Sequence, residues 1–187
     1  MALNLLLNQN FEQWSNGPSS YPDHWEATAW PPTSVARSTT IQDGTYAMSI
    51  TDTGTVFFAK QMVYQLTRGG KYRASCYLRG SITPTLVIRH GSDSQTQIAS
   101  GSGTADDQWH LVYVYFTLPS TENSIAFTVG SEGSGTILAD NAVLELAAVP
   151  KGKPYVIVFD KTGTPLCEFD PESADRAWRL NEIGEAR

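Results

Sequence analysis

Lys71-Tyr72-Arg73-Ala74-Ser75-Cys76-Tyr77-Leu78-Arg79 alternates without a break. Successive side chains of an extended chain point to opposite faces, so Tyr72, Ala74, Cys76 and Leu78 fall on one side and Arg73, Ser75, Tyr77 and Arg79 on the other. One apolar and one wet face predict a strand of an antiparallel sheet. Trp109–Leu118 repeats the pattern: Val112, Val114, Phe116 and Leu118 are uniformly apolar, whereas the opposite set, Trp109, Leu111, Tyr113 and Tyr115, is large and carries polar handles on its tyrosines.

Outward from these two stretches the same rhythm fills residues 1–150. Runs of β-branched and aromatic residues recur every ten or so positions between Gly, Asn, Asp, Ser and Pro. They are Leu3–Leu7, Phe11–Trp14, Trp25–Ala29, Thr33–Ser38, Tyr46–Thr51, Thr55–Leu66, Lys71–Arg79, Thr85–His90, Gln95–Ala99, Trp109–Leu118, Ser124–Gly130 and Gly135–Leu146. So many strands on so short a chain predict an all-β sandwich or barrel. Ser100–Thr104 and Gly130–Gly135 are rich in Gly and Ser and are expected as loops.

Val149-Pro150-Lys151-Gly152-Lys153-Pro154 has linker composition and marks a boundary. Residues 1–150 hold 7 Lys+Arg and 12 Asp+Glu, and residues 151–187 hold 6 and 7, so the tail is far denser in charge. Within it Tyr155–Asp160 and Pro165–Phe169 flank Lys161-Thr162-Gly163-Thr164, a hairpin signal. Asp170 as N-cap, Pro171 in the first turn and Gly184 beyond the end predict a helix. A hairpin-plus-helix arm is too small to bury its own apolar side chains. Val156, Val158, Phe169, Trp178 and Leu180 are therefore expected to pack on the sandwich or on a partner.

The 187 residues carry a net charge of −6, with 41% hydrophobic and 17% charged residues. An acidic, charge-poor chain is a poor match to nucleic acid, whose binders carry basic stripes. No run approaches the length of a membrane span, and the start lacks the basic flank of a signal peptide. Cys76 and Cys167 are too few for a disulfide framework and are expected as free thiols. Catalytic signatures are missing: no Gly-x-Ser-x-Gly, no His-Glu-x-x-His and no phosphate-binding loop occurs. His24, His90 and His110 are scattered, and Asp106-Asp107 reads as a turn before a strand, so a non-enzyme is expected.

Sugar recognition needs apolar ring faces flanked by planar polar groups. Tyr77, Arg79, Arg89, Tyr113 and Tyr115 would share one sheet face if their strands are neighbours, with Trp30, in Ala29-Trp30-Pro31-Pro32, at its border. The alternative is that the tyrosines cover an edge of the core and the arginines keep that face soluble.

Four stretches carry a family resemblance. They are Asn4–Trp14 with Tyr21-Pro22-Asp23-His24-Trp25, then Asp43–Ile50, Gly70–Gly80 and Ile137–Glu145. In order and spacing they resemble jelly rolls of the carbohydrate-binding-module type. That resemblance implies a structural calcium site, which maps to Glu12 and Asp140 with backbone oxygens near Gly44; the alternative is that both carboxylates accept loop amides. Asn-Leu-Leu-x-Asn followed by Phe-Glu-x-Trp also resembles modules of tailed-phage virion proteins, which carry no signal peptide because they assemble in the host cytoplasm. The leading expectation is therefore a jelly-roll sandwich with a C-terminal arm, serving at the virion surface as capsid decoration, cement or tail accessory. Its partners would be the major capsid protein, other virion subunits or itself, with no required cofactor and no membrane. A soluble carbohydrate-binding module using the tyrosine face is the competing expectation.

Overall fold

A computed structural model describes residues 3–54, 56–92 and 95–147 in full and the backbone of 156–159 and 165–169. The strands are β1 (Glu26–Ala27), β2 (Ser34–Ser38), β3 (Ala47–Asp52), β4 (Phe57–Val63), β5 (Lys71–Gly80), β6 (Pro84–His90), β7 (Gln97–Ser102), β8 (His110–Thr117), β9 (Ile125–Ser131), β10 (Gly135–Leu146), β11 (Val156–Phe159) and β12 (Pro165–Phe169). Two five-stranded antiparallel sheets, ordered β1-β4-β9-β6-β7 and β2-β3-β10-β5-β8, make a jelly-roll sandwich. Among the described residues no helix is long and apolar enough to cross a membrane.

The chain divides into two compact units, residues 1–147 and 148–187. In the second, β11 pairs antiparallel with β12, where the Gly163 turn signal falls between two extended runs. Trp178, Leu180 and the expected helix lie outside the described residues, as do the side chains of Val156, Val158, Phe169 and Cys167.

The inner faces carry the apolar set that alternation assigns to them. Tyr72, Ala74, Cys76 and Leu78 of β5 are buried with Val112, Val114 and Phe116 of β8, facing Phe127, Val129, Leu86 and Ile88 of the other sheet. Phe11, Trp25 and Phe127 form a ring cluster, with centroids 4.9 Å and 5.9 Å apart along the chain of contacts.

Two expectations are corrected. Leu3–Leu7 and Phe11–Trp14 form no strands. The Asn4 side chain instead brackets β10, donating to Ala142 O and accepting from Leu144 N, while Gln61 both donates to and accepts from the Leu7 backbone. Side-chain amides thus supplement two isolated backbone bonds, Leu5 N to Leu144 O and Ala142 N to Gln9 O, where a strand would form a ladder, and Leu6 and Phe11 are still buried. Ser100–Ser102, expected in a loop, belongs to β7. Gly101 sits there because its backbone comes close to β8: a Cβ would lie 3.0 Å from Val114 Cγ1 and 3.2 Å from Tyr113 O.

Gly130 is the tightest of these approaches. A Cβ on it would run into the Phe57 carbonyl and lie 2.8 Å from Phe58 Cα. Gly130→Ala is expected to cost about 3 kcal/mol in urea unfolding, because β4 and β9 must separate. Gly133→Ala, whose added methyl would meet nothing closer than 3.8 Å, should be nearly neutral.

Candidate functional site

The registers fix which residues share the outer face of the first sheet. Phe58, Gly130, Thr85 and Ser102 lie in one row across β4, β9, β6 and β7; Lys60, Thr128, Val87 and Ser100 form the next, and Met62, Ala126, Arg89 and Gln97 the third. An outer face is ordinarily wet, yet Phe58, Ala126 and Thr128 are fully buried and Val87 nearly so. β9 contributes only small residues to this face, which leaves a trough. Arg89 starts on β6, but its guanidinium carbon lies 4.9 Å from the ring centroids of both Phe58, on β4, and Trp30. The Phe58 side chain leans over Gly130 of β9 toward it, and Arg89 is only 7% exposed.

Trp30 is tied to the same sheet. Its carbonyl accepts from Phe58 N at 3.0 Å, and Thr28 Oγ1 accepts from Trp30 N while lying in hydrogen-bond contact with Phe58 O. The indole is half-buried. Burial pushes the Arg89 guanidinium below its ordinary pKa, opposed by the nearby charge of Glu132. Arg89 also donates to Gln95 O at 2.8 Å.

The same sheet carries, toward β6 and β7, a groove of about 420 Å³ lined by Thr83, Thr85, Val87, Gln97, Ser100, Ser102, Ser131, Glu132 and Gly133; Trp30 and Arg89 are not among its lining residues. Hydroxyls and one side-chain amide dominate it. Glu132 is its one carboxylate, so it lacks the carboxyl pair that glycoside hydrolysis uses.

The expected site residues separate onto two faces. β5 and β8 are neighbours, and Tyr77, Arg79, Tyr113 and Tyr115 share the outer face of the second sheet. Arg89 and Trp30 do not join them; they belong to the other sheet, because β6 pairs with β9 and β7 instead of β5. Tyr113 and Tyr115 are well exposed, but their rings meet edge-on at 76° and offer no common plane. Arg79 is already taken, donating through Nε (3.0 Å) and Nη2 (3.2 Å) to Asp107, which holds its pKa above the ordinary range.

A sequence profile described as "Carbohydrate binding domain" matches residues 3–136. The chain belongs to this family. Its fold is similar to "Family 16 Carbohydrate Binding Module-2", with 18% identity over 75% of this chain and 99% of that one, at a TM-score of 0.55. It is similar also to TmCBM61, solved in complex with β-1,4-galactotriose, with 21% identity over 76% and 98% of the two chains and a TM-score of 0.53. The enzymatically active domain of bacteriophage CBA120 tailspike protein 4 matches at 15% identity and a TM-score of 0.56 over 76% of this chain, but this chain spans only 21% of it. No curated protein matches the sequence.

In this carbohydrate-binding domain the carboxylates of Glu12 and Asp140 hold a loop. Glu12 Oε1 accepts from the amides of Thr45 (2.6 Å) and Tyr46 (3.0 Å), and Asp140 Oδ2 from those of Gln42 (2.9 Å) and Asp43 (3.2 Å). Asp140 Oδ1 accepts from Asn141 N at 2.8 Å. Three oxygens thus meet five N–H donors, whereas calcium calls for about six to eight converging oxygens. Among the described residues no group of three His, Cys, Asp or Glu is arranged to hold a metal. These residues fit an amide clamp and not a calcium cage.

Burial pushes the Asp140 carboxyl up, Glu12 adds to the rise, and the three amides only partly oppose it. Asp140→Ala is expected to cost about 2–4 kcal/mol, since three amides lose their acceptor. A carboxyl with a raised folded-state pKa contributes most below the ordinary carboxylate range and loses that contribution as pH rises through the raised value. The deficit of Asp140→Ala should therefore widen as urea titrations move from pH 7 down to about pH 4.

Proposed function

We propose that this domain is a non-catalytic module that binds neutral glycan chains in the groove of the first sheet. The observation that carries the reading is the lining itself: seven of the nine groove residues present a hydroxyl, amide or carboxylate, and Trp30, a partly buried aromatic residue, is tied to the same sheet through Phe58. Hydroxyls and amides match the alternating donors and acceptors of a sugar, and an indole face matches its C–H surface. Neutral chains suit the groove because its one charged lining residue, Glu132, repels uronates and accepts paired hydroxyls.

Membership of the carbohydrate-binding family and the oligosaccharide held by TmCBM61 support this reading. The capsid or tail role expected from the N-terminal pattern draws no comparable support, because the tailspike likeness is one of fold at 15% identity. The second-sheet tyrosines have a single attraction, exposure, and lack a recess of their own among the described cavities.

An array of neutral β-linked oligosaccharides and acidic polysaccharides tests the proposal. Retention of neutral chains is expected, weakened about tenfold by Trp30→Ala and about fivefold by Gln97→Ala, amounts that correspond to one lost stacking contact and one lost hydrogen bond. Tyr113→Ala should leave binding unchanged. Loss of binding on Tyr113→Ala, with Trp30→Ala and Gln97→Ala silent, would move the site to the other sheet.

A further inference from the structure

We infer that Arg89 is a positioning residue that fixes the Trp30 ring as an aromatic contact for a glycan bound on the first sheet, acting through the indole and making no contact of its own with the sugar. The inference rests on the groove being the glycan site. Its ground is the disposition of one side chain. Arg89 is opposite Gln97, a groove residue, in the β6–β7 register, so a short side chain at this position would point toward the ligand. The guanidinium instead lies 4.9 Å from the ring centroids of Trp30 and of Phe58, whose side chain reaches over Gly130 of β9.

Three features direct it there. Ala126, Thr128 and Gly130 put little bulk on the outer face of β9, and the Phe58 side chain lies over Gly130. Gln95 O takes one of its N–H groups at 2.8 Å. With 7% of its surface exposed, the side chain has little left to offer a ligand. Arg89 Nε is buried without an acceptor among the described residues, a cost that the cation's contact with two aromatic rings offsets in part. A guanidinium suits this place better than an ammonium, because it is more weakly hydrated and still donates to Gln95 O.

Trp30 follows Ala29 and precedes Pro31-Pro32, in the connection between β1 and β2, and its hydrogen bonds are made by the backbone alone among those described. The backbone fixes where the residue starts; the ring's orientation needs side-chain contacts. Arg89 supplies one.

The test uses the full chain with Arg89→Met, Arg89→Lys, Trp30→Ala and the Arg89→Met/Trp30→Ala pair. Acrylamide quenching, taken as the difference between each protein and its Trp30→Ala counterpart, isolates Trp30 from the other tryptophans. Arg89→Met should raise that quenching and weaken binding of the neutral oligosaccharides roughly tenfold. Arg89→Lys, which keeps the charge and protects the fold, should show the same rise. With Ala at position 30, adding Arg89→Met should change affinity by less than about twofold, as a shared pathway requires. An equal loss in that background would make Arg89 a direct ligand contact and overturn the inference, as would unchanged quenching in both Arg89 variants. If no oligosaccharide binds the wild-type protein, the glycan reading falls, and the quenching difference still decides whether Arg89 holds the indole.

Discussion

Gly130 lets β4 and β9 approach so closely that the Phe58 side chain and backbone occupy the space where a Cβ would stand. The rest of the candidate site follows from this contact and from its neighbours Ala126 and Thr128. A larger residue in any of these three places would fill the trough and lift the Arg89 side chain into solvent. Arg89 would then lose Phe58 and Trp30 together, and the indole would lose the contact that orients it. Small residues on a central strand are commonly read as weak packing. Here their smallness is what allows a sheet's outer face to be buried on one side of its midline and grooved on the other.

Charge is sparse and mostly committed to holding loops. Glu122 joins His90 Nδ1 (2.6 Å), Ser92 Oγ and the Gly91 amide; burial alone would raise its carboxyl, and these bonds together lower it. Asp106 is held low by His110 and the Gln108 amide, and Asp107 by the Arg79 fork. Their contributions are present above the ordinary carboxylate range and fade in acid, opposite in sign to that of buried Asp140. The exposed pairs are worth little each in water. What they do is pin the turns at the ends of β5, β6 and β8, leaving Glu132 as the charge that faces the groove.

The period-two pattern was enough to read the sandwich, because burial on one face of each strand leaves a trace in residue type. Lys71–Arg79 and Trp109–Leu118 place their inner residues as alternation requires. The groove was not readable in the same way. Thr85, Val87 and Arg89 do alternate with Leu86 and Ile88, but partner strands cannot be chosen from alternation, so Arg89 was grouped with tyrosines of the other sheet. Ser100-Gly101-Ser102 resembled a turn because glycine serves both turns and close strand approaches, and only the neighbouring β8 distinguishes the two. The N-terminal leucines differ for a related reason: only Leu6 of the run is buried, Leu3 and Leu7 being exposed, and the segment is held by side-chain amides of Asn4 and Gln61 with isolated backbone bonds to β10 in place of a continuous ladder.

Exposure alone therefore ranks the two faces in the order opposite to the one proposed. Tyr113 and Tyr115 are 57% and 64% exposed, far more than Arg89, and a search for accessible aromatics would choose them first. Yet recognition of a flexible, hydrated chain requires groups that are already fixed, since each side chain ordered on binding costs about 0.5–1.5 kcal/mol. The tyrosines stand free on their sheet and meet one another edge-on. Five of the groove's seven polar residues, Thr85, Gln97, Ser100, Ser102 and Ser131, sit on paired strands, and Trp30 is contacted by a guanidinium that is itself buried. Rigidity, more than accessible aromatic area, is what favours the first sheet as the binding face.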